Sequence, residues 1–136
     1  MKGIILAGGE GSRLHPVTIS VTKQLLPVYD KPMIYYPLCT LMEANIRNIL
    51  CICTQKELPN FKKLLGDGKQ WGIEISFAIQ NKPKGIAESF IIGSNFINNE
   101  NVALILGDNI FYGIDFDEYI SLDDKRFNGA QIFVYK

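Results

Sequence analysis

An apolar segment that runs directly into a glycine-rich turn opens this chain and constrains its fold more than any other feature. Residues 2–7 are largely apolar, and glycine occupies three of the four positions 8–11. Glycines let the backbone approach phosphate groups and direct N–H donors at them. Arg13 adds a planar fork of donors, and Lys23 adds a mobile positive charge. The pattern predicts a strand followed by a loop that holds a polyphosphate.

Two common glycine motifs do not fit this loop. A P-loop requires G-x-x-x-x-G-K-[ST], and no lysine follows these glycines directly. A dinucleotide fingerprint requires G-x-G-x-x-G, and Leu14 stands where the third glycine belongs. The glycines alone also allow a tight strand-to-helix turn that binds nothing. The neighbouring arginine and lysine favour phosphate binding.

Apolar and polar segments alternate along the chain in a pattern typical of an α/β domain. Strands are predicted at 2–7, 48–54, 73–79, 102–107 and 130–135, and helices at 33–45, 56–65, 86–97 and 116–123. Two of the strands are apolar nearly throughout, as expected where helices cover both faces of a sheet. We therefore expect a Rossmann-like, doubly wound and mostly parallel sheet flanked by helices. Ligands of such sheets bind beyond the carboxyl ends of the strands.

Length and charge restrict the classes of function. A chain of 136 residues predicts one domain, and its 14 basic residues balance its 14 acidic ones. This balance predicts no basic face and hence no nucleic-acid partner. No apolar run approaches the ~20 residues of a membrane span. The first residues also lack the layout of a signal peptide. We therefore expect no membrane partner and a cytoplasmic location.

Two of the three cysteines lie in a predicted strand. Cys51 and Cys53 alternate within the apolar segment 49–53, so their side chains share one face of that strand. Cysteine in such a setting is typically a small buried apolar residue. A metal site would require more cysteine or histidine ligands at ordered spacing. The pattern therefore predicts structural cysteines.

Two further segments are predicted to lie at the same sheet edge as the glycine-rich loop. Asp108 directly follows the strand predicted at 102–107. Its carboxylate could hold Mg²⁺, which prefers oxygen ligands and is often shared with substrate phosphates, or it could act in a turn. Gln80 follows the strand predicted at 73–79, and its amide suits the edge of a pyrimidine base. The residues alone favour an ordinary turn with a solvated glutamine there.

The motifs of the chain resemble those of the sugar-phosphate nucleotidylyltransferases, which have the nucleotide-diphospho-sugar transferase fold. The resemblance rests on GIILAGGEGSRLHPVT at 3–18, TKQLLPVYDKPMIYYPL at 22–38, GIA at 85–87 and LGDNIFYG at 106–113. The segments QLLP and DNIFYG favour the thymidylyl branch over the uridylyl, cytidylyl and adenylyl branches. The implied substrates are dTTP and glucose 1-phosphate. The sugar phosphate attacks the α-phosphorus in line, pyrophosphate leaves, and the product enters deoxysugar and polysaccharide precursor synthesis.

The resemblance also implies roles for individual residues. Arg13 and Lys23 are the implied catalytic residues, with Arg13 steadying charge on the leaving pyrophosphate. Asp108 is the implied ligand of Mg²⁺, the expected cofactor. Gln80 and its loop would read thymine. The implied nucleotide-binding residues are Leu6, Gly8, Gly9, Gly11, Ser12, Arg13, Lys23, Gln80, Pro83, Gly85 and Asp108.

Length is the main departure from the family pattern. Family members extend well past Lys136, and the further part supplies sugar contacts, a second carboxylate for Mg²⁺ and much of the subunit interface. We therefore expect residues 1–136 to be the nucleotide-binding portion of a truncated domain whose C-terminal sugar-binding portion is absent. A full-length member is expected to form a homo-oligomer. A nucleotide-binding module without turnover and a uridylyltransferase-type relative remain alternatives. Ile86, Glu88 and Ser89 also replace residues more typical of the family.

Overall fold

A parallel β-sheet forms the centre of the protein. A computed structural model describes residues 1–9, 11–113 and 129–134. The strands it contains are β1 (Lys2–Leu6), β2 (Pro27–Val28), β3 (Lys31–Pro32), β4 (Asn48–Cys53), β5 (Glu74–Ile79) and β6 (Val102–Leu106). Four of them form the sheet in the order β5-β4-β1-β6, and every neighbouring pair is parallel. The short strands β2 and β3, which lie between β1 and β4 in sequence, form a separate antiparallel pair.

Helices connect the strands of the main sheet. They are α1 (Tyr35–Glu43), α2 (Leu58–Leu65), α3 (Glu88–Ile92) and α4 (Ser94–Ile97), with single-turn 3-10 helices at Ser12–Leu14, Lys23–Leu25 and Lys69–Trp71. Pro37 lies in the first turn of α1, where a backbone N–H would have no acceptor within the helix, so the helix tolerates it. Within the described part of the chain, no helix is long and apolar enough to cross a membrane.

Two apolar clusters hold the layers together. Ile5 and Cys51 belong to the larger cluster, which also contains Phe61 of α2 and residues of α1. Ile4 and Ile52 belong to the smaller cluster, on the side that α3 and α4 cover. Burial of such a side chain contributes roughly 1.5–3 kcal/mol. Neighbouring residues of β1 thus belong to opposite clusters, and helices cover both faces. The prediction of a doubly wound parallel sheet is confirmed.

The four predicted strands of the main sheet are confirmed within one residue at each end, but two other predictions are wrong. A strand was expected at 130–135, yet residues 130–134 form none, and Ile132 and Val134 are 80% and 85% exposed. Among the described residues, β6 has no neighbour on its outer side, so nothing there pairs with this segment. The helix expected at 86–97 is divided at Gly93, which packs closely against Ile4 and Leu50. The helix predicted at 116–123 lies outside the described residues.

The prediction of structural cysteines in β4 is confirmed. Cys51 and Cys53 are both fully buried, and neither forms a disulfide. Burial raises the pKa of the Cys51 thiol, and burial with the nearby Glu57 raises the pKa of Cys53 to about 11. Both thiols therefore stay protonated and act as small apolar groups of the core.

The order of the strands determines where a ligand can bind. From β1 the chain builds the sheet outward in one direction through β4 and β5, and it then returns to add β6 on the other side of β1. The strand order therefore reverses beside β1. Because all four strands are parallel, the segments after β1, β5 and β6 reach the same edge of the sheet. A crevice at such a switch point is the usual binding site of doubly wound sheets.

Candidate functional site

A cavity of about 250 Å³ opens at the carboxyl edge of the sheet. It lies beside β1 and β6, and the segments that follow β1, β5 and β6 surround it. Its lining consists of Leu6, Gly9, Gln24, Gln80, Pro83, Gly85, Ile86, Leu106 and Asp108. Six of these nine belong to the set that the sequence predicts to bind nucleotide. The fold therefore gathers around one opening residues as far apart in sequence as Leu6 and Asp108.

The glycine-rich loop packs tightly where it leaves β1. Gly8 is buried, and a β-carbon at its position would collide with Oε1 of Gln80. Gly11 adopts a φ of 61°, a left-handed conformation that favours glycine. The hydroxyl of the buried Thr18 donates to the carbonyl oxygen of Gly11 at 2.7 Å, which ties the two ends of the loop together. Gly9 is exposed and lines the cavity.

Ser12 and Arg13 lie on the outer part of this loop. They belong to the 3-10 turn Ser12–Leu14, and both are exposed. Neither is among the described residues that line the cavity. The guanidinium of Arg13 therefore has no role in the packing of the described core, although it stands on the loop that begins at the cavity.

Lys23 and Asp108 form an ion pair at the sheet edge. Nζ of Lys23 lies 2.9 Å from Oδ2 of Asp108, and each side chain is about one-third exposed. The two buried residues that flank Lys23 are hydrogen-bonded to each other. Thr22 donates its hydroxyl hydrogen to Oε1 of Gln24 at 2.7 Å. The structure thus joins the predicted phosphate-binding lysine to the predicted metal ligand, which are 85 residues apart in sequence.

Asp108 is the acidic residue of the described cavity lining. Mg²⁺ usually binds to proteins through one or two carboxylates and takes its other ligands from phosphates and water. A single partly exposed carboxylate at the cavity fits that role. The described residues contain no group of three or more histidine, cysteine, aspartate or glutamate side chains that could hold a metal. Oxygen atoms of a bound ligand would therefore have to complete the coordination.

The loop after β5 is held in a defined conformation by the side chain of Glu88. Gln80 is only 2% exposed, so the expectation of a solvated glutamine is wrong. Its backbone N–H donates to the carbonyl oxygen of Cys53 at 2.8 Å, and its Nε2 donates to Oε2 of Glu88 at 2.7 Å. The backbone N–H of Lys84 donates to the same oxygen at 3.2 Å. Gly85, with a φ of 99°, then turns the chain toward α3.

Sequence reasoning missed four residues of this region. Gln24, Ile86 and Leu106 line the cavity, and Glu88 supports the loop behind it. Leu106 could have been found, because it lies near the end of the strand predicted at 102–107, at the binding edge, as Leu6 does in the strand predicted at 2–7. Gln24 packs beside the distant Gly107, which no local pattern indicates. Glu88 bonds with Gln80 and Lys84, which are near it in sequence, but the pattern of residues does not predict that these side chains and backbone groups meet.

Sequence comparison relates this arrangement to known proteins. A family model described as nucleotidyl transferase matches residues 2–136. The chain belongs to the nucleotidyl transferase family. It is 57% identical over 136 residues to the glucose-1-phosphate thymidylyltransferase of Neisseria meningitidis, covering 100% of this chain and 47% of that protein. It is 55% identical over 138 residues to the Mycolicibacterium smegmatis glucose-1-phosphate thymidylyltransferase, covering 99% and 46%.

Solved structures show the same relation to the nucleotidyl transferase family. A structure from Bacillus anthracis, described as a glucose-1-phosphate thymidylyltransferase with sucrose, superposes with a TM-score of 0.85 at 40% identity. The match covers 89% of this chain and 49% of that one. A UDP-glucose pyrophosphorylase with UDP-glucose gives a TM-score of 0.74 at 25% identity, covering 92% and 53%. The chain spans about half the length of the curated relatives it matches.

Proposed function

We propose that this nucleotidyl transferase chain forms the nucleotide-binding part of a glucose-1-phosphate thymidylyltransferase. The reaction transfers a thymidylyl group from dTTP to glucose 1-phosphate and yields dTDP-glucose and pyrophosphate, as a step toward deoxysugars. One observation carries the proposal: the glycine-rich loop, Gln80 and Asp108 meet at one cavity beside the strand-order switch. The 55–57% identity to thymidylyltransferases supports the choice of nucleotide and sugar.

The chemistry requires positioning and charge compensation more than covalent participation by the protein. An oxygen of the sugar phosphate forms a bond to the α-phosphorus of dTTP. The bond from that phosphorus to the bridging oxygen breaks, and the electron pair leaves with pyrophosphate. Backbone N–H groups of the glycine-rich loop would hold the triphosphate. Arg13, exposed on that loop, would compensate the charge that develops on the leaving group.

Lys23 would compensate charge nearer the reacting phosphorus. In the structure its ammonium neutralises Asp108 at 2.9 Å. A bound triphosphate offers oxygen atoms of higher charge, so we expect the ammonium to transfer its contact from the carboxylate to phosphate. That transfer leaves Asp108 able to hold Mg²⁺, the implied cofactor, which supplies charge neutralisation on the phosphates when bound. Asp108, released from Lys23, would be the protein group that holds the metal.

Pyrophosphate release tests the proposal directly. The protein is incubated with Mg²⁺ and glucose 1-phosphate, and dTTP, UTP, CTP and ATP are compared. We expect release with dTTP that requires the sugar phosphate. Matched controls omit glucose 1-phosphate or replace it with glucose, which lacks the attacking oxygen. Release that favours UTP would contradict the thymidylyl assignment and support a uridylyltransferase-type relative.

A nucleotide-binding module without turnover is the second candidate. Residues 1–136 correspond to 47% of the Neisseria meningitidis relative, so this part can be tested for binding separately from turnover. A sugar phosphate that is not held in place forfeits up to ~7–11 kcal/mol of orientation advantage. This candidate predicts dTTP binding in a titration but no pyrophosphate release. The two readouts together therefore separate the two functions.

A further inference from the structure

The carboxylate of Glu88 lies behind the loop that borders the cavity, and it fixes the side chain of Gln80. We propose that Glu88 is a positioning residue that turns the amide of Gln80 so that its carbonyl oxygen faces the nucleotide base. The base is thereby required to carry a ring N–H on its pairing edge, as thymine and uracil do. This inference rests on the proposed function, because it concerns how the same cavity selects its nucleotide.

Hydrogen bonding determines which way the Gln80 amide points. An amide has a donor end, Nε2, and an acceptor end, Oε1. Oε2 of Glu88 already accepts the backbone N–H of Lys84 at 3.2 Å, and it accepts Nε2 of Gln80 at 2.7 Å. The opposite orientation would place Oε1 against a carboxylate oxygen, with two acceptors facing each other and no proton between them. Glu88 therefore excludes that orientation.

The acceptor end of Gln80 is then left for a ligand. Oε1 lies against Gly8, at the start of the glycine-rich loop, and Gln80 lines the cavity. Among the described residues, Oε1 accepts no hydrogen bond, and no fully buried side-chain polar atom lacks a partner. Oε1 must therefore be reachable from the cavity.

An acceptor at this place discriminates between bases. Thymine and uracil carry a hydrogen on N3, which Oε1 can accept. Cytosine presents an unprotonated N3, which would meet Oε1 as a second acceptor and leave both groups unsatisfied. A buried polar group without a partner is costly, so this mismatch disfavours cytosine strongly. Glu88 itself does not contact the base. It acts through the Gln80 amide, whose orientation it determines.

The position of Glu88 also explains how the orientation is maintained. Glu88 is the first residue of α3, and Ser89 beside it is fully buried, with its hydroxyl donating to the carbonyl oxygen of Ile86 at 2.6 Å. These contacts hold the first turn of α3 in place. The Glu88 carboxylate then links this turn to the loop that contains Lys84. Without Glu88, the Gln80 amide loses the acceptor that distinguishes its two ends.

Nucleotide titrations on substituted proteins test the role. The variants are Glu88→Met, which removes the acceptor at similar volume, Glu88→Ala, and Glu88→Gln, whose carbonyl oxygen can still accept from Gln80. Glu74→Met, at the exposed start of β5, controls for the loss of one carboxylate. Calorimetry gives the affinities for dTTP, dUTP, dCTP and inorganic tripolyphosphate, and thermal unfolding reports whether each variant is folded.

We expect Glu88→Met and Glu88→Ala to weaken dTTP and dUTP binding about tenfold, the usual effect of losing a hydrogen bond to a charged group. The affinity for dCTP should change little, so the preference for dUTP over dCTP falls about tenfold. Tripolyphosphate affinity should be unchanged, because the glycine-rich loop is not altered. Glu88→Gln should retain most of the affinity for dTTP, and Glu74→Met should match the original chain.

Four results would overturn the proposal, and one of them would also reject the proposed function. An unchanged preference for dUTP over dCTP in folded Glu88→Met rejects the positioning role alone. An equal loss of tripolyphosphate affinity, or a failure of both Glu88→Met and Glu88→Ala to fold, makes Glu88 a general structural residue. An original chain that binds tripolyphosphate without preferring dTTP or dUTP to dCTP rejects the proposed function as well.

Discussion

At the scale of single residues, the contact between Gly8 and Gln80 connects two loops that are 72 positions apart in the sequence. Gln80 is buried at 2% exposure, and its amide occupies the space beside Gly8. A close approach of this kind requires a residue without a β-carbon. Gly9, one position further, has nothing within 4 Å of the place where a β-carbon would be. Close packing therefore requires glycine at position 8 but not at position 9.

We expect Gly8→Ala to destabilise the protein by about 1–3 kcal/mol, the range typical of an overpacked site. The added methyl group must displace Gln80, so base binding should weaken as well. Gly9→Ala is the matched control and should change the free energy of unfolding by no more than about 0.5 kcal/mol. Urea unfolding of both variants measures the difference. Equal losses of stability would contradict the packing seen at Gly8.

Arg13 is expected to contribute to ligand binding and not to folding. Because its side chain is exposed, Arg13→Ala should alter the free energy of unfolding by less than about 0.5 kcal/mol. Loss of a charge-assisted contact to the triphosphate should weaken dTTP binding about tenfold. Lys63→Ala, which removes another exposed positive charge on α2, controls for net charge. A Tm that falls in step with dTTP affinity would argue against the role.

At the scale of elements, hydrophobic pattern predicted β1, β4, β5 and β6 because their apolar residues are consecutive or alternating. The pair β2 and β3 was not predicted. Each strand is two residues long, and both contain proline, so neither has a recognisable period. The break between α3 and α4 was also missed, since it depends on how closely Gly93 approaches the sheet. Contacts between elements, not local preference, decided these features.

The cysteines of β4 provide a test of this packing. At about pH 8, a neutral disulfide reagent should modify Cys39, which is exposed, but not Cys51 or Cys53. Partial desolvation of its sulfur and the nearby charge of Glu43 raise the pKa of Cys39 too, so its reaction should be slower than that of free cysteine. The Cys53 thiol, with a pKa raised to about 11, supplies almost no thiolate at this pH. All three should react after unfolding. Modification of Cys51 or Cys53 in the folded protein would contradict a closed β4 layer.

At the scale of the whole molecule, the parallel sheet makes a binding edge from segments that are distant in sequence. The position of β1 between β4 and β6 brings the glycine-rich loop beside Asp108. The 101 residues between Leu6 and Asp108 would allow many other arrangements, and only the strand order selects this one. The joint site is therefore a property of the topology, although its residues are recognisable one by one.

Ligand-linked stability should report on the assembled site. If dTTP binds the folded chain alone, a concentration 100 times its Kd should stabilise the protein by about 2.7 kcal/mol. We expect the rise in Tm to be larger with Mg²⁺ and to lose its Mg²⁺ dependence in Asp108→Asn, which keeps the shape of the side chain. NAD, whose fingerprint glycine is replaced by Leu14, should produce no shift. An Asp108→Asn protein with an unaltered Mg²⁺ titration would remove Asp108 from the metal site.

The strands of the main sheet, the glycine-rich loop and the identities of most cavity-lining residues could be predicted from the sequence alone. These features depend on local properties: apolar runs, the conformational freedom of glycine and the charge of particular side chains. The pairing of Lys23 with Asp108 and the burial of Gln80 beside Gly8 became evident only from the fold. Each of these depends on a distance across the fold, and no neighbour in the sequence specifies which distant group satisfies a given donor or acceptor.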